Sequence, residues 1–196
     1  MDVTDGVKDA AREEGRTVLS EYEAKAFLAE YGVPVVSEKK ADDIAAAVAA
    51  AREIGVPVVL KGLGRELLHK TENQLVHLNL ETEASVEAAA QAVSQSAGDR
   101  LEAYLIQPQV SGKREFVAGL FNDAQYGPVV MFGLGGIFTE VLSDVTFRLA
   151  PISQADAAEM ITELRASAML GAVRGEPPVN RDQLIQTLTG LSRLAE

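Results

Sequence analysis

The pentapeptide Gly-Val-Pro-Val-Val occurs twice in this chain, at residues 32–36 and 55–59, and each copy follows a stretch with helical spacing of apolar residues. Glycine readily ends a helix because it adopts positive φ, and the proline prevents the helix from continuing. The valines that follow are typical of short buried strands. We therefore predict two helix-to-strand turns, and we interpret the likeness of the copies as local turn chemistry and not as an evolutionary repeat.

Capping residues mark where the helices begin. Ser20 and Glu23 have the spacing of a capping box, and Asp42 or Asp43 can cap a second helix that ends at Gly55. The same reasoning predicts three later helices, over 83–95, from Ser153 onward and over 180–195.

The middle of the chain is rich in strand patterns. Residues 75–80, LVHLNL, alternate apolar and polar side chains, which predicts a strand whose solvent-exposed face carries His77 and Asn79. The segments LEAYLIQPQV, EFVAGLFND and PVVMFG follow with turns between them, and FTEVLSDVTFRLAP continues the pattern, which predicts a meander of antiparallel strands. Helices alternate with strands before this meander. The sequence therefore predicts an α+β fold with two lobes that meet near Gln107 and Pro108.

Composition and charge exclude several classes of protein. The 196 residues include no cysteine, which excludes disulfides, thiolate metal sites and cysteine nucleophiles. The net charge of −11 argues against a nucleic-acid partner, although a local group of lysines and arginines could still bind a nucleotide. The apolar runs are too short to span a membrane, and the acidic start is not a signal peptide. We expect a soluble, cytoplasmic protein.

A few polar residues are candidates for chemistry. Lys61 follows the apolar run VPVVL, where it could hold a phosphate over a cleft or could be a solvated lysine at a strand end. The glycine-rich FGLGG at 132–136 is neither a P-loop nor a dinucleotide fingerprint, and it could be a simple turn. His69, in the segment HKTE, could be a nucleophile or only a polar loop residue.

Four charged residues lie near the predicted meander. Such residues in apolar company are either functional or members of surface ion pairs, and the sequence leaves both possibilities open. They are Glu115, Glu140, Asp144 and Arg148.

From about Arg16 to its C-terminus the chain resembles the ATP-grasp β subunit, or β-like domain, of the ADP-forming acyl-CoA synthetases (acetate–CoA ligase, ADP-forming), in the succinyl-CoA synthetase-like superfamily. The resemblance is carried by LSEYEAKAFLAEYGVPV, IGVPVVLKG, LLHKTE, IQPQV, REFVAGLFND, YGPVVMFGLGGIFTEVLSDVTFRLAP and GAVRG. It implies an ATP-grasp-like α+β fold with an N-terminal segment at 1–21, a small lobe at 22–105 and a larger lobe at 106–196.

The resemblance also implies a function, which is phosphoryl transfer between a relay histidine and ADP or ATP, coupled to acyl-CoA formation or cleavage. His69 matches the relay histidine, Lys61 the lysine at the nucleotide phosphates and Glu115 a carboxylate of the nucleotide cleft. A hinge that runs past the adenine matches Gln107, Pro108, Gln109 and Val110. The implied partner is a CoA-binding α subunit or domain, which should hold most of the acyl pocket.

Two departures from the family pattern affect these expectations. Asn73 and Gln74 stand where the family usually has a small pair, often Gly-Gly, which allows close approach of backbone to phosphate. The family also continues beyond LSRLAE into a strand with E-x-x-I-N-P and a later aspartate, which supply Mg²⁺ ligands. We therefore expect a lobe that is incomplete at its C-terminus, no metal ligand in this chain and Mg²⁺ only if that segment is supplied. We also expect weak or no ATP binding and no activity by the chain alone.

An alternative interpretation follows from the same departures. The chain could be a non-catalytic regulatory ATP-grasp module, as in fusions with an acyltransferase, or a truncated fragment.

Overall fold

The computed structural model describes residues 15, 17–64, 75–112, 114–136, 144–173 and 175–196. Five helices lie in these ranges: α1 (Glu21–Glu30), α2 (Ile44–Ile54), α3 (Glu83–Ala97), α4 (Gln154–Thr162) and α5 (Arg181–Arg193). The strands there are β1 (Lys39–Ala41), β2 (Val58–Leu63), β3 (Val76–Leu80), β4 (Ala103–Pro108), β5 (Phe116–Asp123), β6 (Gly127–Leu134) and β7 (Val145–Leu149).

The strands form two antiparallel sheets. The first has the order β1-β4-β2-β3, and the second has the order β5-β6-β7. Helices and antiparallel sheets together confirm the predicted α+β class. No helix in the described ranges is long and apolar enough to cross a membrane.

The described residues divide into two compact units. The first comprises those up to Phe27 together with Val35–Ser111, and the second comprises Leu28–Pro34 together with Gly112–Glu196. In the first, α2 and α3 pack on one face of the four-stranded sheet around buried residues such as Leu60, Val93 and Ile106. In the second, α4 and α5 cover the three-stranded sheet around Phe132, Met160 and Leu188. Burying each such side chain contributes roughly 1.5–3 kcal/mol to folding.

The predicted helix boundaries are confirmed where capping residues define them. Ser20 N donates to Glu23 Oε2 at 2.8 Å, and Glu23 N donates to Ser20 Oγ at 3.3 Å, which is the predicted capping box. Asp43 caps α2 by accepting from Ala46 N at 2.8 Å. Gly32 and Gly55 have φ of 77° and 89°, so both predicted turns use the positive φ that favours glycine.

The strand predicted at 33–36 is wrong. Residues 33–38 form no strand, and β1 begins at Lys39. Val33 instead lies against Gly190 of α5, where an added Cβ would be only 2.8 Å from Val33 Cγ2. Arg193 Nε of the same helix donates to Tyr31 O at 3.1 Å. These contacts with α5 hold the segment, so Val33 is buried without entering a sheet, whereas Val35 is exposed.

The predicted meander is also too long. The segment LEAYLIQPQV does not pair with β5, because β4 lies between β1 and β2 in the first sheet. Residues 103–106 are all buried, as expected for a central strand with both faces covered. The antiparallel meander is confined to β5, β6 and β7.

The solvent-exposed face predicted for β3 is only partly correct. Asn79 is exposed, but so is Leu78, while the Nε2 atom of His77 is buried. The pairing of β2 with β3 shifts register between Val58 and Leu60, and Asn79 has φ of 55°. This irregularity breaks the simple alternation of faces that the sequence pattern assumes.

Candidate functional site

Lys61 lies inside strand β2 and not at the strand end that the sequence suggested. It is the fourth residue of Val58–Leu63, because VVLKGL continues as a strand through Gly62. Gly62 fits this crowded position because an added Cβ would lie 3.0 Å from Val93 Cγ1. The Lys61 side chain is only 19% exposed, which is low for a lysine and indicates a functional or paired ammonium group.

Lys61 and Gln107 project from the same face of the first sheet. Lys61 is opposite Leu105 and Val59 is opposite Gln107 in the antiparallel pairing of β2 with β4. Residues two apart on a strand share a face, so these four side chains lie together. This is the face opposite to the one that α2 and α3 cover, because Leu60 and Ile106 belong to that core. Two of the predicted nucleotide-binding residues are therefore neighbours.

A set of five polar side chains, which we name the polar cluster, joins helix α1 to this sheet face. Glu21 Oε1 accepts from Lys61 Nζ at 2.5 Å and from Lys25 Nζ at 2.8 Å. Lys25 Nζ also donates to Glu38 Oε2 at 2.7 Å and to Gln107 Oε1 at 3.1 Å. Because lysine can only donate, the Gln107 side chain must turn its oxygen toward Lys25.

Sequence reasoning missed three members of the polar cluster, namely Glu21, Lys25 and Glu38. Glu21 precedes Lys61 by 40 residues and Lys25 precedes Gln107 by 82, so no local pattern connects them. The only available signal was the i,i+4 spacing of Glu21 and Lys25, which is equally typical of an ordinary helix-surface pair.

The polar cluster keeps Lys25 charged. Burial by itself lowers the pKa of Lys25, but the hydrogen bonds and charges of Glu21 and Glu38 outweigh burial and raise the pKa above its ordinary value. The Glu38 side chain is 7% exposed, and its Oε1 atom is buried without a hydrogen-bond partner among the described residues. A carboxylate so deeply buried is costly unless a cation pairs with it, which makes Lys25 important for this part of the structure.

The other predicted hinge residues have separate contacts. Pro108 ends β4 opposite Val58. Gln109 N donates to Pro57 O at 2.9 Å, and Gln109 Oε1 accepts from Asn79 N at 3.0 Å. Val110 follows with its side chain exposed. The segment after β4 is thus held to β2 and β3 by Gln109, whereas Val110 is open to solvent.

Glu115 belongs to the second unit, where it lies against the glycine-rich segment 132–136. Gly135 N donates to Glu115 O at 2.8 Å, and an added Cβ at Gly135 would be 3.0 Å from the carbonyl carbons of Glu115 and Phe116. At Gly136, with φ of 62°, an added Cβ would be 2.8 Å from Glu115 Oε2. The glycines therefore allow the backbone and carboxylate of Glu115 to approach closely.

Arg114, the residue before Glu115, holds the neighbouring loop. Its Nη1 donates to Met169 O at 2.8 Å and to Gly171 O at 2.7 Å, and its Nη2 donates to Pro177 O. A guanidinium that satisfies three carbonyls restricts the start of β5, and Glu115 is positioned as a result.

Asp144 has a structural role. Its side chain is 7% exposed and accepts from Arg165 N at 2.9 Å and Ala166 N at 2.8 Å. Burial raises the pKa of Asp144, but the two backbone hydrogen bonds and the charge of Arg165 outweigh burial and lower it.

Arg148 is a member of an ion pair on the surface, with Glu163 Oε1 at 2.5 Å. Such pairs contribute little to stability. His69 and Glu140, the remaining candidates from the sequence, lie outside the described residues.

The part of the chain that the structure describes contains no group of three or more His, Asp or Glu side chains that could hold a metal ion. We therefore derive no step through a metal from these residues.

Helices packed on two antiparallel sheets match the fold of the ATP-grasp class. The chain belongs to the ATP-grasp domain family, which it matches over residues 10–196. It is 38% identical over 188 residues to the acetate–CoA ligase (ADP-forming) II subunit beta of Pyrococcus furiosus, covering 93% of this chain and 80% of that subunit.

Solved structures agree with this membership. An acetyl-coenzyme A synthetase 1 of Ca. Korarchaeum cryptofilum, in complex with coenzyme A, Ca-AMPCP and HgCl⁺, is 37% identical with a TM-score of 0.92, over 98% of this chain and 86% of that chain. The same synthetase with coenzyme A and Mg-AMPPCP, whose phosphohistidine segment points towards the nucleotide binding site, has 37% identity and a TM-score of 0.87, over 98% and 85% of the two chains.

Proposed function

We propose that this chain is the nucleotide-binding β part of an ADP-forming acyl-CoA synthetase, in which a phosphoryl group passes between His69 and ADP or ATP during acyl-CoA formation or cleavage. The observation that carries the proposal is the likeness to a synthetase β subunit over 80% of that subunit's length. The similar fold of a synthetase that binds coenzyme A and a nucleotide analogue supports it.

In this proposal Lys61 binds the nucleotide phosphates, and Gln107, Pro108, Gln109 and Val110 form the hinge beside the adenine. Glu115 is a carboxylate of the nucleotide site. Phosphoryl transfer depends mainly on positioning and on stabilising negative charge, and a mostly buried ammonium group supplies both. The common sheet face of Lys61 and Gln107 supports the assignment of these two residues to one ligand.

His69 is proposed as the nucleophile toward ATP. The neutral imidazole attacks the γ-phosphorus, an N–P bond forms as the bond to the departing oxygen of ADP breaks, and the ring proton passes to solvent. In the reverse direction ADP takes the phosphoryl group back. The phosphohistidine segment of the Korarchaeum synthetase supports a relay of this kind.

The relay implies a second protein component. The relative from Pyrococcus furiosus is named a β subunit, which supports a partner α subunit for this chain. We propose that the α partner binds coenzyme A and the acyl group, and that Mg²⁺ accompanies the nucleotide in the complete assembly, as it accompanies AMPPCP in the Korarchaeum synthetase.

Phosphohistidine labelling tests the proposal. The chain is assembled with its CoA-binding partner and incubated with Mg²⁺ and γ-³²P-ATP. We expect an acid-labile, base-stable label that returns to ATP when ADP is added. His69→Ala should remove the label and reduce net acyl-CoA formation by several orders of magnitude, because it removes a covalent path and not one contact.

His77 provides the matched control for His69. It lies opposite Leu60 in β3, where ladder bonds hold the backbone, so His77→Ala should keep both the label and the turnover. Label on His77, or near-normal turnover of His69→Ala, would contradict the role of His69. An assembled complex that is never labelled would favour the non-catalytic module.

A further inference from the structure

We infer that Glu21 and Lys25 are further residues of the nucleotide site, in which Glu21 holds Lys61 while phosphate is absent and passes to Lys25 when a nucleotide phosphate binds Lys61. This inference rests on the proposed function for the identity of the ligand. It assigns helix α1 to the nucleotide site, although α1 ends well before the strands that carry Lys61 and Gln107 begin.

Both lysines bond to the same oxygen of Glu21, so the carboxylate has to move only a short distance to leave Lys61 and stay with Lys25. One atom, Oε1, lies 2.5 Å from Lys61 Nζ and 2.8 Å from Lys25 Nζ. A small rotation of the carboxylate can therefore lengthen the contact with Lys61 while it keeps the contact with Lys25. Because Lys61 is only 19% exposed, its ammonium group is expensive to leave unpaired, and Glu21 satisfies it until a ligand replaces Glu21.

Lys25 is held in place to receive Glu21. Its ammonium group has three donors, and the acceptors Glu21, Glu38 and Gln107 account for all three. Glu38 is 7% exposed and accepts from Lys25 Nζ at 2.7 Å, so this mostly buried pair keeps the ammonium group fixed. Lys25 therefore cannot follow Lys61 toward a ligand.

The charges of the polar cluster decide the direction of the effect. The polar cluster contains two lysines and two glutamates, and a bound phosphate adds negative charge next to Lys61. Glu21 is the carboxylate already bonded to Lys61, so it competes with that phosphate. Removing the charge of Glu21 should then strengthen phosphate binding, whereas a residue that merely orients Lys61 would weaken binding when removed.

Binding of ADP and of adenosine to the full chain tests the inference. Adenosine lacks phosphate, so it reports changes that do not involve Lys61. Relative to the wild type, E21Q should bind ADP about 3- to 10-fold more tightly, the range of a partly screened ion pair, with adenosine affinity unchanged. The control E30Q removes the same charge from the exposed far end of α1 and should change neither affinity.

The second arm changes Lys25. K25M should bind ADP several-fold more weakly, because Glu21 then loses its bond to Lys25 and competes more strongly with phosphate for Lys61. The double variant E21Q/K25M should recover at least the wild-type affinity, since the competitor is gone. Because K25M leaves Glu38 unpaired, the same comparison is repeated in an E38Q background, and E21A serves as a second substitution at Glu21.

Each outcome decides between the alternatives. Weaker ADP binding by E21Q would show that Glu21 orients Lys61 and would overturn the inference, as would equal changes for ADP and adenosine. If the wild type binds ADP and Lys61→Met abolishes that binding while E21Q has no effect, the inference alone fails. If neither wild type nor Lys61→Met binds ADP in the assembled complex, the proposed function fails and the inference with it.

Discussion

At the scale of single residues, Asp144 shows how a carboxylate in apolar company can stabilise a turn. It lies directly before β7, and its two oxygens accept from Arg165 N and Ala166 N in the turn that follows α4. The pKa of Asp144 lies below its ordinary value because these backbone bonds stabilise the charged form more than burial opposes it. Its ionised side chain therefore contributes to the free energy of folding.

Asp144→Asn should lower the free energy of unfolding by about 1–3 kcal/mol at pH 7, because one of the two amides then faces an NH₂ group and the charge is lost. Urea unfolding followed by circular dichroism measures the difference. Asp123→Asn is a comparison on the surface, where the carboxylate accepts from Gln125 N and Tyr126 N in an exposed turn. If Asp144→Asn lowers the free energy of unfolding no more than Asp123→Asn does, burial does not strengthen the contribution of Asp144.

The lowered pKa of Asp144 predicts how the effect of Asp144→Asn on stability depends on pH. A group whose pKa is lower in the folded state stabilises the protein above its unfolded pKa, about 3.9 for aspartate, and that contribution is lost as pH falls through the folded pKa. The difference in free energy of unfolding between wild type and Asp144→Asn should stay constant from pH 7 to about pH 5. It should become smaller below about pH 4. A gap that widens with acid would show that the pKa of Asp144 is raised and not lowered.

Residue-level prediction from the sequence depends on signals that a single position carries. Lys61 was singled out because it follows the apolar run VPVVL, and the structure places it inside β2 with a mostly buried side chain. Its partner Glu21 could not be predicted, because the pairing depends on how α1 meets the sheet 40 residues later. His69 and the other assigned site residues stay predictions.

At the scale of elements, the second sheet requires a glycine where β6 and β7 approach each other closely. Gly133 of β6 is opposite Val145 of β7, and an added Cβ would lie 2.5 Å from Val145 Cγ1 and 2.7 Å from Asp144 O. The second of these atoms belongs to the backbone and cannot simply rotate away. The close approach therefore requires glycine at this position.

Gly133→Ala should destabilise the protein by about 2–3 kcal/mol through overpacking. Gly119→Ala in β5 is the matched control, because an added Cβ there meets only Met131 Cε at 3.6 Å, an ordinary contact. Gly119→Ala should be nearly neutral. Chemical unfolding measures the free energy of unfolding of both variants. Equal decreases would mean that the close approach of β6 to β7 is not the reason for the destabilisation by Gly133→Ala.

Element prediction was accurate for helices and weaker for strand partners. Capping by Ser20, Asp43 and Ser153 is local, so α1, α2 and α4 begin where the sequence indicates. Strand pairing is non-local. The valines at 35–36 have strand propensity, but contacts of Val33 with α5 decide the path of that segment, and β4 pairs with strands far from it in sequence.

At the scale of the whole molecule, nucleotide binding should appear as a gain in stability. ADP at about ten times its dissociation constant adds about 1.4 kcal/mol, which corresponds to a rise of roughly 3–5 °C in the unfolding midpoint. Lys61→Met should remove this rise. Asn73 and Gln74 in place of the family's small pair predict weak affinity, so millimolar ADP is the appropriate range.

Lys39 offers a matched control for the thermal measurement. It is another strand lysine with a glutamate partner, Glu53 of α2, but it is exposed and projects with Ala41 and Ile106 away from the face of Lys61. Lys39→Met should therefore keep the ADP-induced rise. A rise that survives Lys61→Met would place the ADP phosphates elsewhere on the chain.

The two backbone bonds of Asp144 have a consequence for hydrogen–deuterium exchange. The amides of Arg165 and Ala166 lie between α4 and the short 3₁₀ turn Ser167–Leu170, outside every helix and strand, where amides ordinarily exchange within seconds to minutes. Since both donate to a nearly buried carboxylate, their deuterium uptake should be as slow as that of the neighbouring helical amides. Asp144→Asn should accelerate uptake in the peptide containing these two residues before it affects any strand.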